Sequence, residues 1–186
     1  MIKTKLKWIF SIVGASLAIV TATVYLIMGI MAVLNISETE DAKTIVYLLF
    51  AFLMYFALAF GFAFFGAKVL FSFFNREDDD QPFSSLVLCF SAFQLLTSFL
   101  SLIFFGGNAG MWLILIFSFA SVITLLLQVT GLKRTWLTVL VGDILAMITA
   151  MTVACAYGGA QRVSAIFVAI ICFLIGATFA LNLIKE

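Results

Sequence analysis

The chain has 186 residues, of which 65% are hydrophobic and only 10% are charged, and its formal net charge is +1. Soluble domains are roughly 45–50% apolar and about 25% charged, and a chain of this size cannot bury so much apolar surface in one water-exposed core. This composition excludes a soluble globular enzyme and a disordered chain, and it predicts an integral membrane protein. The near-neutral charge provides no basic field, so nucleic acid is an implausible partner.

The residue inventory narrows the chemistry further. The sequence has no histidine, and its three cysteines, Cys89, Cys155 and Cys172, are widely separated within apolar runs. Histidine-based acid–base catalysis and histidine metal ligation are therefore excluded, and no CxxC motif marks a redox or zinc site. We expect no enzymatic activity, no cofactor and no bound metal.

Six apolar stretches are long enough to cross a bilayer as helices, since a span needs about 20 apolar residues. The short connections between them carry the polar residues and most of the turn-forming glycines. The fold class predicted is an all-α bundle of six transmembrane helices in a single membrane domain, 1–186. The predicted spans are Trp8–Leu34, Thr44–Ala67, Ser84–Phe105, Met111–Thr130, Trp136–Tyr157 and Val163–Leu183.

The lysines and arginines predict the orientation. With the N-terminus in the cytoplasm, only Lys43 and Arg162 lie outside, and the other basic residues lie inside. Cytoplasmic loops carry the excess of basic residues in membrane proteins, so both termini are predicted to be cytoplasmic, and a plasma membrane fits this bias. The inside group is Lys3, Lys5, Lys7, Lys68, Arg76, Lys133, Arg134 and Lys185.

The second span is longer than a bilayer requires. Its apolar character continues past Ala67 for several residues, and a straight helix of that length must tilt, bend or turn along the membrane surface. Lys68 can extend its ammonium group to the headgroups from this position. We predict an interfacial segment over 68–75.

Small side chains recur at every fourth position of the first and fifth spans and form grooves along one helix face. Close backbone approach over such grooves is a main source of helix association in lipid, so these two helices are predicted to form the centre of the bundle. A groove could also receive a partner subunit, although internal packing is favoured. The packing grooves consist of Gly142, Ala146, Ala150, Ala154 and Gly158 in the fifth span, and Gly14, Ala18 and Ala22 in the first.

One carboxylate lies at membrane depth. Asp143 is seven residues into the fifth span, about 10 Å from its cytoplasmic end, and it borders the small-residue groove. Charged groups in hydrocarbon are costly and mark candidate functional sites. Gln94, Gln128 and Lys68 are polar residues that could reach toward it. A structural role as a protonated or hydrogen-bonded acid is the first interpretation, followed by proton or cation binding and by an ion pair with Lys68.

Two functional hypotheses follow. The first is a non-enzymatic subunit or accessory module of a membrane complex, which contacts the lipid bilayer and associates with a membrane protein partner or a second copy of itself. The alternative is a small transporter or channel that uses Asp143 as an intramembrane proton or cation site.

Overall fold

The computed structural model describes residues 2–75, 82–130 and 136–183, and this part of the chain is helical apart from short turns. Five helices contain a stretch long and apolar enough to cross a membrane, and α5 contributes a shorter apolar stretch, Leu140–Ala156. These helices confirm the prediction of an all-helical protein with several membrane-spanning segments. The number of six crossings and the orientation of the termini stay predictions. The helices are α1 (Ile2–Ile36), α2 (Ala42–Asn75), α3 (Pro82–Phe105), α4 (Ala109–Val129), α5 (Trp136–Ala156) and α6 (Gly159–Leu183).

The helices form a closed ring in chain order. Each packs against the next along the chain, and α1 packs against α6 to complete the circuit. Helix α3 also reaches across the ring to contact α5 and α6. Because short connections join neighbouring helices antiparallel, this arrangement is an up-and-down bundle with a closed interior.

Three turns, at residues 37–41, 106–108 and 157–158, lie at one end of the bundle, which we name the turn face. The ring of Tyr47, near the start of α2, meets the ring of Phe105 at the end of α3 edge-on, with centroids 5.4 Å apart. A Cβ placed on Gly110, at the start of α4, would lie 3.6 Å from Cβ of Ala156 at the end of α5. These contacts bring the three turns together.

Two side chains cap helices at the turn face. Asp41 accepts hydrogen bonds from the backbone N–H of Thr44 (3.1 Å) and from its hydroxyl (2.5 Å), and Asn108 accepts one from the N–H of Met111 (3.0 Å). Both residues thus satisfy amide donors that the first helical turn leaves unpaired. The bonds from Thr44 lower the pKa of Asp41 below its ordinary value. Gly106, with φ of +75°, ends α3 in the left-handed conformation that glycine adopts readily.

Helix α2 is continuous from Ala42 to Asn75, a length of 34 residues and therefore about 50 Å. No turn separates 68–75 from the rest of the helix, and Phe71 is exposed. The predicted interfacial segment is consequently the last part of α2 rather than an element of its own. Its position relative to a bilayer stays a prediction.

The centre of the bundle differs from the prediction. Within the described residues α1 contacts α2 and α6 and does not reach α5, whereas α3 contacts four other helices. The first span therefore lies in the wall of the ring, and the prediction that it forms the centre together with the fifth is wrong. The small-residue faces of α1 and α5 are nevertheless both used for packing between helices. Gly66 of α2 approaches α1 so closely that an added Cβ would lie 3.0 Å from the carbonyl oxygen of Ala15.

Candidate functional site

Asp143 lies inside the bundle on α5. The residue is 2% exposed, and neither carboxylate oxygen has a hydrogen-bond partner among the described residues. It follows Trp136, the first residue of α5, by seven positions and precedes Ala156, the last, by thirteen. It therefore lies about 10 Å from one end of the helix and about 20 Å from the turn face.

The other buried polar side chains of the interior are mostly satisfied within their own helices. The hydroxyls of Thr21 and Thr149 donate to the carbonyl oxygens four residues earlier, at 2.7 and 2.9 Å. Ser91 and Ser121 are bonded to each other across α3 and α4 at 2.9 Å. A hydroxyl can always turn back to its own backbone, whereas a carboxylate has no proton to donate. Asp143 therefore requires a donor, a proton or a cation from outside its helix.

The surroundings of Asp143 are apolar on one side and weakly polar on the other. Its neighbour Gly142 faces α4, where an added Cβ would lie 2.9 Å from Cδ2 of Leu125. Helix α6, which packs against α5, carries one buried thiol, that of Cys172.

The polar residues predicted to accompany Asp143 have different positions. Lys68 is exposed on α2, and Asp143 accepts no hydrogen bond from it. The structure therefore does not form the Asp143–Lys68 ion pair, which was one of the three interpretations of Asp143. Gln94 is buried on α3, where it lines a separate cavity described below. Gln128 belongs to α4, but its side chain lies outside the described part of the structure.

The small-residue groove of α5 is used for packing within the chain. Ala146 and Ala150 are completely buried, and Gly142 is covered by Leu125. Toward the turn face the groove opens, since Ala154 is half-buried and Gly158 exposed. In α1 the corresponding small residues, Gly14, Ala18 and Ala22, are all buried.

A polar cavity lies in the half of the bundle nearest the turn face, where Val153, ten positions from Asp143 on α5, forms part of its lining. All four tyrosines of the chain line it, together with Gln94, Thr97, Gln161 and Ser164 and three apolar residues. Its volume is about 20 Å³, which is enough for one ordered water molecule. The lining residues are Tyr25, Met28, Tyr47, Tyr55, Phe93, Gln94, Thr97, Val153, Tyr157, Gln161 and Ser164.

The cavity has a half-buried mouth and a buried floor. Tyr47, Tyr157 and Gln161 are half-buried close to the turns, whereas Tyr25 and Gln94 are buried further along α1 and α3. Tyr25 is eleven residues, about 16 Å, from the end of α1 at Ile36, and Ser164, which lines the same cavity, is five residues from the start of α6. Each lining residue is uncharged, so the cavity presents hydrogen-bonding groups without a fixed charge.

Hydrogen bonds and ring contacts hold the cavity lining in place. Nε2 of Gln161 donates to the hydroxyl of Tyr55 at 2.9 Å, and the hydroxyl of Ser164 donates to the backbone carbonyl of Gln161 at 3.0 Å. The rings of Tyr25 and Tyr55 stack with centroids 6.1 Å apart, and Tyr55 contacts Phe93 at 5.2 Å. These contacts join α1, α2, α3 and α6 around one space.

At the mouth of the cavity, the α5–α6 turn is fixed by Arg162. Its Nε donates to the carbonyl oxygens of Ala154 and Tyr157 at 3.0 and 3.1 Å, which are among the carbonyls that the end of α5 leaves unpaired. A cation at a helix C-terminus is also favoured by the helix dipole. Arg162 thus holds Tyr157 and the start of α6 in position beside the cavity.

Sequence reasoning did not find this cavity. Its residues come from five helices and are separated by up to 139 positions, from Tyr25 to Ser164, so no local motif marks them. One signal was present: in an up-and-down bundle, Tyr157 falls in one of these three turns, and the other three tyrosines and Gln161 fall in the halves of their helices nearest the turns. The predicted spans alone could have shown that these residues lie toward the same end of the bundle. They could not have shown that the side chains face the same space.

The comparisons with known proteins identify no relative: no family model, no curated protein and no solved structure matches this chain.

Proposed function

We propose that this protein is a small, non-enzymatic transporter or channel of the plasma membrane in which Asp143 binds a proton or a small cation. The observation that supports the proposal is the state of the Asp143 side chain, which is 2% exposed and has no hydrogen-bond partner for either oxygen among the described residues. The distribution of lysines and arginines places the turn face outside the cell in this proposal.

The physical reason for the proposal is the free-energy cost of burying a carboxylate that has no hydrogen-bond partner. Buried polar atoms in proteins almost always have a partner, and each exception calls for an explanation such as a catalytic role or an unrecorded water or ion. An isolated buried charge is strongly unfavourable, so the carboxylate must take up a proton or a cation. A carboxyl group that alternates between an ionised, empty state and a state occupied by a proton or a cation is what a proton or cation carrier requires.

Flux through purified protein in liposomes tests the proposal. Wild-type protein and the Asp143→Asn variant are reconstituted with a pH-sensitive dye inside, and parallel vesicles carry dyes for Na⁺ and K⁺. We expect an ion gradient to drive flux through the wild type and Asp143→Asn to reduce that flux to the level of empty liposomes. Asparagine has nearly the same shape as aspartate but cannot ionise.

Thr149→Val is the matched control, because Thr149 is also buried on α5 and, within the described part of the chain, its hydroxyl bonds only to the carbonyl of Leu145. This variant should retain flux. Circular dichroism and size-exclusion chromatography check that each variant is folded. Undiminished flux in folded Asp143→Asn, or an absence of flux through wild-type protein under every gradient, contradicts the proposal.

The other hypothesis, a subunit or accessory module that binds a membrane protein partner or a second copy, stays a prediction. It was based on the small-residue grooves of the first and fifth spans, on the few polar residues at membrane depth and on the lack of a marked catalytic group in the sequence. Much of the α5 groove is filled by contacts within the chain, since Ala146 and Ala150 are buried and Leu125 covers Gly142. The remaining exposed apolar surface is what any membrane-spanning helix presents to lipid, and it favours no particular partner.

A further inference from the structure

We propose that the tyrosine-lined cavity is a binding site for one water molecule, which hydrogen-bonds to the side-chain amide of Gln94 and bridges α3 to α6. The site is separate from Asp143 and does not depend on the function proposed for that residue. Three observations support it: the state of the Gln94 amide, the hydrogen-bonding groups that the other lining residues turn to the cavity, and the size of the cavity.

The side chain of Gln94 needs a hydrogen-bond partner. The residue is 7% exposed and lines the cavity. Among the described residues it forms hydrogen bonds through its backbone, whose carbonyl accepts one from the hydroxyl of Thr97 at 3.3 Å, whereas its side-chain amide forms none. Buried polar groups in proteins almost always have a partner, either in the protein or in ordered water. The amide of Gln94 therefore requires a partner inside the cavity.

The hydrogen bonds of the other lining residues determine what this partner must be. The hydroxyls of Ser164 and Thr97 donate to backbone carbonyls at 3.0 and 2.8 Å, so toward the cavity their oxygens can only accept. The hydroxyl of Tyr55 accepts a bond from Gln161 and keeps its own proton to donate, and the amide of Gln94 can donate and accept. A molecule in the cavity must therefore both donate and accept hydrogen bonds, as water does.

The size and charge of the cavity exclude other ligands. Its volume of about 20 Å³ accommodates one water molecule and is too small for an organic solute. The described residues that line it include no charged side chain, so a metal or ammonium ion would leave water without gaining a counter-charge, which is strongly unfavourable. Cavities that stay dry are lined by apolar groups, whereas a polar site with about two to four partners holds a water molecule.

The positions of the lining residues give the water molecule a structural role. Gln94 and Thr97 belong to α3, whereas Gln161 and Ser164 lie at the start of α6. No direct hydrogen bond joins these side chains across the two helices in the part of the chain that the structure describes. A bridging water is nearly as favourable in enthalpy as a direct hydrogen bond. It therefore fixes α3, which crosses the ring to reach α6, at this depth of the bundle.

Two phenylalanines of α3 provide a matched pair for testing the site. Phe93 lines the cavity, whereas Phe90, which is buried one turn earlier on the same helix, does not. Purified protein in detergent micelles is exposed to short X-ray pulses, which convert water molecules into hydroxyl radicals at the places where they are bound. Mass spectrometry then measures the rate at which each ring is oxidised. Because the radicals react before they diffuse far, a buried ring is oxidised quickly only where water lies beside it.

We expect Phe93 to be oxidised at least about tenfold faster than Phe90, a ratio that corresponds to about 1.4 kcal/mol in the free energy of placing water beside the two rings. In Gln94→Met, which keeps the length of the side chain but removes the amide, the rate at Phe93 should fall to that of Phe90. Ser98→Ala is the control, since Ser98 is buried on α3 outside the cavity lining, and it should leave the rate at Phe93 unchanged. A high-resolution map should place a water oxygen about 2.7–3.2 Å from an amide atom of Gln94.

Four results overturn the proposal, and two of them require no variant. Slow oxidation of Phe93, at the rate of Phe90, shows that the cavity is dry. Rapid oxidation of both rings shows that water penetrates the core without a defined site. Rapid oxidation of Phe93 that persists in folded Gln94→Met shows that the amide does not hold the water, and density for a metal ion or a larger molecule shows that the ligand is wrong. The flux experiments on Asp143 are independent of all four.

Discussion

Gln161 of α6 donates a hydrogen bond to the hydroxyl of Tyr55 on α2 over 2.9 Å, although these two helices make no backbone approach to each other in the described part of the chain. The two residues are 106 positions apart, and both line the cavity. A single side-chain contact therefore links two walls of the cavity.

This bond should make a measurable contribution to stability. We expect Tyr55→Phe and Gln161→Leu each to lower the free energy of unfolding, with a coupling energy of about 0.6 kcal/mol and at most about 1.7 kcal/mol, the range found for hydrogen bonds between membrane helices. A double-mutant cycle, measured by unfolding in mixed micelles, gives the coupling directly. Additive effects of the two substitutions would show that the bond contributes nothing to the folded state.

We expect the Asp143 side chain to lower the free energy of unfolding. An unpartnered buried acid is unfavourable even when neutral, because a buried polar group without a hydrogen-bond partner costs about 1–3 kcal/mol. We therefore expect Asp143→Leu to raise the free energy of unfolding while abolishing flux, as expected where function requires a group that stability does not.

The matched variant is Thr149→Leu, at a buried hydroxyl that is already bonded within α5. It should be neutral or destabilising. A large loss of stability in Asp143→Leu, with Thr149→Leu unaffected, would instead indicate that Asp143 is a structural hydrogen-bonding residue, the interpretation that the sequence favoured first.

The close approach of α1 and α2 depends on Gly66. A Cβ at this position would lie 2.8 Å from Cγ1 of Ile19 and 3.0 Å from the carbonyl oxygen of Ala15, so the helices must separate to admit it. Gly66→Ala should destabilise the fold, since overpacking costs about 1–3 kcal/mol and the gain in helix propensity is at most about 1 kcal/mol.

Gly176 is the control for this prediction, because a Cβ there meets no atom of the described residues within 4 Å. Gly176→Ala should be neutral or stabilising by up to about 1 kcal/mol. Thermal unfolding of the two variants in the same detergent makes the comparison. Equal melting temperatures for Gly66→Ala and Gly176→Ala would contradict the packing seen between α1 and α2.

The cap of α2 should respond to acid. The hydroxyl and amide of Thr44 lower the pKa of Asp41, so the cap stabilises the helix start at pH values above the unfolded pKa, and this contribution is lost as the pH falls through the lower, folded pKa. The amide proton shift of Thr44, followed by NMR, should titrate with a midpoint below the ordinary range for aspartate. In Asp41→Asn, which keeps a capping oxygen, this titration should disappear.

Composition and span length were sufficient for the coarse architecture. A bilayer requires long apolar helices with internally paired backbone, so a sequence that is 65% hydrophobic with short polar connections specifies helices and turns without reference to any distant contact. The predicted position of Asp143 in the fifth helix was correct for the same reason, because depth follows from counting residues along one helix.

Only the tertiary structure decided which groups face one another. Helix α1 lies in the wall of the ring and not at its centre, Lys68 is on the outside of the bundle, and Gln94 lines a cavity with Gln161 rather than accompanying Asp143. Such relationships depend on the rotation of each helix about its axis. In lipid that rotation is set by close packing at small residues such as Gly66 and Gly142, because apolar side chains gain little by leaving lipid for a helix interface.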